Sequence, residues 1–118
     1  MKILSAKLHG IIDYVSVVGL LLAPTLFGLQ GIAATFAYVL AGIHLALTLT
    51  TKFALGAVKI VPLPLHGMVE IVVGVALAVL PWLLKGSVDL GDSGRMFYSA
   101  FGVVLIIVFA VTKYDAHA

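Results

Sequence analysis

Leu8-His9-Gly10 followed by Asp13, and Leu65-His66-Gly67 followed by Glu70, set a histidine and a carboxylate four residues apart twice in one chain of 118 residues. Residues i and i+4 share a helical face, so each segment presents an imidazole one turn from an acid. His44 is a third histidine inside apolar sequence. Four chemistries suit this set. In the first, each histidine bonds the acid one turn on and the cluster acts as polar glue between helices. In the second, imidazole and carboxylate in a four-helix bundle hold a divalent metal; with two acids rather than four, a single zinc, iron or manganese ion is the cofactor that fits. In the third, Asp13 and Glu70 titrate and His44 is the next proton or ion carrier, with only Ser16, Thr25, Thr35 and Tyr38 to continue a path. The fourth is haem between His9 and His66, at odds with their place near helix ends in a small bundle.

Composition decides what positions these groups. The chain is 63% apolar and 10% charged, with mean hydropathy +1.24, against about 45–50% and about 25% in soluble domains. A water-soluble fold of this size cannot enclose so much apolar surface, so lipid must cover the remainder. The absence of cysteine removes disulfides, thiolate metal sites and thiol redox relays. The net charge of +2 comes from basic residues at segment ends, which is not the continuous basic face that nucleic acid requires. No phosphate loop, nucleophile elbow or H-E-x-x-H occurs. These absences favour a non-enzymatic membrane protein of structural or interaction type, with no catalytic residue assigned. Metal binding and ion handling by the polar cluster stand as the alternatives.

The charges also delimit the spans. Residues 14–51 carry no Asp, Glu, Lys or Arg, and as one helix those 38 residues would reach about 57 Å, nearly twice the bilayer core. The break falls at Pro24 to Gly31, predicting helices over about 8–28 and 31–51. Leu65 to Leu84 and 96–112 supply two more, with Pro64 in the first turn of the third and Asp92 as N-cap of the fourth. Lys2, Lys7, Lys52, Lys59 and Lys113 fall on one side and Lys85 and Arg95 on the other. This predicts a multi-pass protein of the plasma membrane with both termini cytoplasmic. The loop Phe53 to Pro64 reads as a short amphipathic piece along the headgroups. Trp82, Phe27, Tyr114 and Phe53 suit interfacial belts. Gly10, Gly67, Gly74 with Ala78, and Ala37 with Ala41 provide small faces for helix packing, while Pro24 and Pro81 kink the outer helix ends. Thr48, Thr50 and Thr51 can bond back to their own helix, and His117 belongs to a solvated tail.

The chain reads as one membrane domain, 1–118, made of a duplicated hairpin. At an offset of 57, eight of the 21 residues from 8 to 28 are identical, Asp13 becomes Glu70 and Pro24 becomes Pro81. With four residues added to the second outer loop, Thr51-Lys52-Phe53 meets Thr112-Lys113-Tyr114. Repeat one covers about 8–53 and repeat two about 65–114. The fold class is therefore an all-α membrane protein, four transmembrane helices from two tandem helical hairpins related by a pseudo-twofold along the membrane normal. Ala23-Pro24-Thr25-Leu26-Phe27-Gly28 and Leu80-Pro81-Trp82-Leu83-Leu84-Lys85-Gly86 resemble the Ser-Pro-Trp motif of the SPW repeat family, without the serine in either copy and with the tryptophan in the second alone. The resemblance implies a two-span repeat in a prokaryotic plasma membrane and no established activity.

Depth then sharpens the chemistry. Glu70 lies six residues beyond Pro64, Asp13 six beyond Lys7, and His44 eight before Lys52, giving one layer about 9–12 Å into the inner half of the bilayer. Ionisable groups facing hydrocarbon there cost about 2.5 kcal/mol or more each. His9, Asp13, His44, His66 and Glu70 are therefore expected to converge between the helices, with Leu105 in the place equivalent to His44. The partners implied are the lipid bilayer and, through unmatched apolar helix faces, a homo-oligomer or another membrane protein.

Overall fold

The computed structural model describes residues 2–114, and these form four α-helices with no strand among them. The helices are α1 (Ala6–Leu26), α2 (Gly31–Leu49), α3 (Leu63–Leu83) and α4 (Gly91–Val111). Each is long and apolar enough to cross a bilayer. In lipid, backbone N–H and C=O groups must be paired within the segment, which a helix achieves. Leu, Val, Ile and Ala supply its lipid-compatible surface.

Local chemistry sets the ends. The Ser5 hydroxyl caps α1 by accepting from the Leu8 amide at 3.2 Å. Pro64 sits in the first turn of α3, where a missing N–H costs nothing. Gly28 and Gly31, at φ 63° and 58°, let the chain reverse between α1 and α2. Pro24 and Pro81 fall in the last turns of α1 and α3. The fourth helix departs from expectation. Its N-cap is Leu90, and the Asp89 carboxylate accepts from the Gly91 amide at 3.2 Å, while Asp92 is already inside the first turn. Gly91, at φ 71°, turns the chain into the helix one residue before Asp92. Arg95, expected in the outer loop, is consequently a helical residue, buried and paired with Asp92. His117 lies outside the described residues.

Packing is tightest within the hairpins, α1 on α2 and α3 on α4. A methyl added to Gly102 would come within 2.5 Å of the Gly74 carbonyl oxygen and 2.6 Å of the Ala78 amide nitrogen. Only glycine permits that approach of α4 to α3. Between hairpins, Tyr98 of α4 donates to the Ala33 carbonyl of α2 at 2.5 Å. The interior joins an apolar core, with Val17, Leu20, Ala33, Leu40 and Leu77 among its buried members, to a set of buried polar groups, while apolar side chains also cover the outside. Asp13, Glu70, His9, His66, Thr51 and Thr112 are at most 2% exposed, whereas Val15, Val72 and Leu83 face outward at 64%, 64% and 71%. Water would expel this arrangement and lipid favours it.

The two ends of the hairpins are stitched alike. Lys52 donates its amide to the Val61 carbonyl, and Ile60 and Val61 donate theirs to Thr50. In the same pattern Lys113 donates to Leu4, and Ile3 and Leu4 donate to Val111. The 52–62 connection is a series of turns, not an amphipathic helix. Phe53 is buried against Gly10 rather than in an interfacial belt, because that glycine leaves its ring a place to enter.

Candidate functional site

All five expected residues meet at one level near the end of the bundle that carries Leu4 and Lys113. His9 and Asp13 come from α1, His44 from α2, and His66 and Glu70 from α3; every one is buried. The His-to-acid spacing alone would give two separate pairs, His9 with Asp13 at 3.3 Å and His66 with Glu70 at 3.1 Å. The structure also crosses them. His9 Nε2 is 2.6 Å from Glu70 Oε2, and His66 Nε2 is 3.0 Å from Asp13 Oδ2. His44 Nε2 stands slightly further off, 3.5 Å from Asp13 Oδ1 and 3.9 Å from Glu70 Oε1. Ligand atoms of His9, Asp13, His66 and Glu70 all lie within 4.8 Å of one another.

The outward nitrogens of the two rings are fixed by residues that sequence reasoning assigned elsewhere. His9 Nδ1 is 2.8 Å from Thr112 Oγ1, and His66 Nδ1 is 2.7 Å from Thr51 Oγ1. Each threonine hydroxyl already donates to its own helix, Thr112 to Val108 at 2.5 Å and Thr51 to Leu47 at 2.6 Å. A hydroxyl has one proton to give. Its oxygen can therefore only accept from the ring, which puts a proton on Nδ1 of both histidines and turns Nε2 toward the carboxylates. The back-bonding of Thr48, Thr50 and Thr51 is as expected. What it omitted was the second role of Thr51 and the part of Thr112, although the match of Thr51-Lys52-Phe53 to Thr112-Lys113-Tyr114 marked both positions.

None of the close approaches inside the cluster has the direction of a hydrogen bond. His9 Nε2, His44 Nε2, His66 Nε2, Asp13 Oδ2 and both Glu70 oxygens are buried without a hydrogen-bond partner. Their separations of 2.6–3.9 Å are ion-pair distances without directed hydrogen bonds. Haem does not fit, since the His9 and His66 rings are edge to face with centroids 5.5 Å apart and the carboxylates occupy the space beside both Nε2 atoms.

Aromatic rings pack beside the cluster at the end nearest Leu4 and Lys113. A methyl on Gly67 would come within 2.8 Å of the Tyr114 ring, and Phe53 lies over Gly10 in the same way. The two glycines thus admit rings rather than a neighbouring helix. Tyr114 also stands edge-on to His9 at 5.6 Å, with a buried hydroxyl that has no partner. Burial, reinforced by the Glu70 charge, pushes its phenol above the usual tyrosine range. It stays protonated in any physiological setting. No family model matches the chain, and neither a curated protein nor a solved structure matches it.

Proposed function

We propose that this small multi-pass membrane protein binds one divalent first-row cation between its two hairpins. The observation that carries the reading is the convergence of two Nδ1-anchored histidines and two carboxylates whose inward atoms lack hydrogen bonds. Outer-shell partners that fix the tautomer of a ligating histidine are the usual companions of a metal site. Charge supports the same reading. Two carboxylates and neutral imidazoles leave −2, which a divalent ion cancels, and a neutral cluster is what the low-dielectric interior favours. Nitrogen and oxygen donors without thiolate suit zinc, iron or manganese better than copper(I) or calcium. His44 is placed to act as a fifth ligand after a small shift. The sequence alone favours a structural or interaction role, and a cation tying the hairpins together would perform that role as well. A twofold relation of the hairpins along the membrane normal, both termini in the cytoplasm, and kinship with the SPW repeat family complete the proposal.

Elemental analysis and metal-dependent melting in nanodiscs test it. One equivalent of zinc, iron or manganese per chain is expected, with melting raised by the added ion. The rise should disappear in Glu70→Gln and shrink in His44→Ala. Metal-free protein whose melting ignores all three ions would overturn the reading.

A further inference from the structure

His44 is the one member of the cluster without a counterpart in the second repeat. Thr112 and Thr51 stand behind the His9 and His66 rings, whereas the threonine one turn from His44, Thr48, donates to the His44 backbone carbonyl and does not hold its ring. Leu105, at the equivalent place in the second repeat, is 4% exposed, so the fold accepts an apolar side chain there. Packing therefore gives no reason for an imidazole at residue 44. Burying a polar ring in an apolar span has a cost, and hydrogen bonding does not offset it, because His44 Nε2 is buried without a partner. A cavity of about 30 Å³ borders both His44 and Leu105, which lets the ring shift without displacing a packed neighbour.

Distance then sets what the ring can do. Donors about 2.1 Å from one ion stand about 3.0 Å apart at a right angle, about 3.4 Å apart in a tetrahedron and about 3.6 Å apart at 120°. His44 Nε2 lies 3.5 Å from Asp13 Oδ1 and 3.9 Å from Glu70 Oε1, separations that suit the wider angles of a five-donor sphere. We propose that His44 is a movable fifth ligand that turns the site's preference from zinc toward manganese(II) and iron(II). The proposal rests on the cation reading and names the class of ion within it. His9, Asp13, His66 and Glu70 already supply the four donors that a structural zinc ion takes. A fifth donor adds little for zinc and more for manganese(II) or iron(II), which accept five or six nitrogen and oxygen donors. At a generic site zinc binds more tightly than either, so selectivity has to come from geometry and donor number. The donor type fits as well. A neutral imidazole adds a ligand and keeps the balance between two carboxylates and a divalent ion, whereas a third carboxylate at residue 44 would leave a net negative charge inside the span.

Cobalt(II) is the probe, because its visible bands are intense in a tetrahedral site and much weaker with five donors. The full chain in nanodiscs, loaded with one equivalent, is expected to show the weaker bands, and this measurement needs no variant. His44→Leu, which copies the residue at 105, should keep its cobalt and show the intense tetrahedral absorption. Competition with a chromophoric chelator, run without oxygen, should find manganese(II) and iron(II) weakened at least tenfold more than zinc in His44→Leu. Val18→Trp, on the lipid face of α1, should change neither the bands nor the order of affinities. Tetrahedral cobalt in the wild-type chain, or equal losses for all three ions in His44→Leu, would overturn the fifth ligand and leave the cation reading standing. A chain that takes up no cobalt, zinc, manganese or iron would defeat the cation reading itself, and this proposal with it.

Discussion

Thr51 and Thr112 decide which nitrogen of each ring faces the carboxylates, though neither touches the centre of the cluster. Valine in their place would keep the shape and remove the acceptor. The ring N–H would then lose its only partner, and the tautomer would no longer be held. Cation affinity is expected to fall about 10–100-fold in Thr112→Val and similarly in Thr51→Val, measured by competition with a chromophoric chelator in nanodiscs. Unchanged affinity would mean the hydroxyls merely bond their own helices. At this scale His9, Asp13, His44, His66 and Glu70 were legible because ionisable groups inside apolar spans have few tolerable places. The threonines were less so. A threonine ending a helix has a ready partner in the carbonyl one turn back, which gives no sign that its oxygen also accepts. Arg95 was misplaced because charge marks the edge of the lipid-embedded run and not the edge of the helix, which begins four residues earlier at Gly91.

Helices α3 and α4 owe their close approach to one pair of glycines. Backbone atoms of Gly74, Leu77 and Ala78 surround the place a Gly102 side chain would take, and backbone cannot swing aside as a side chain can. Gly102→Ala is therefore expected to destabilise the fold by about 1–3 kcal/mol, the usual range for overpacking. Gly19 and Gly42 have nothing within 4 Å of an added methyl. Alanine at either should be neutral or mildly stabilising, and denaturant titration in detergent micelles would compare all three. Equal responses would show that helix propensity, not the α3–α4 contact, governs stability. The helices themselves were readable from the uncharged runs and proline positions, whereas the partner of Gly74 was not. Small residues at helical spacing indicate a close approach without naming the helix that makes it.

Across the whole molecule, the stitching of Lys52 to Val61 is repeated by Lys113 to Leu4. The duplicated sequence made two like hairpins legible, but the exchange of ends between them needed coordinates, since a repeat fixes equivalence and not which copy supplies a contact. The exchange makes residues 4–113 nearly a closed ring with one seam. Eight residues separate Lys52 from Val61. An eight-residue linker from Lys113 to Leu4 would create a second connection as long as the first, and the backbone could then be opened between Val58 and Lys59, both exposed. This circular permutant should insert with the same four spans and bind its cation within about threefold of the parent, because contacts rather than chain order define the fold. Failure to assemble would show that the seam is not interchangeable. Success would mean that either junction can serve as the chain's beginning.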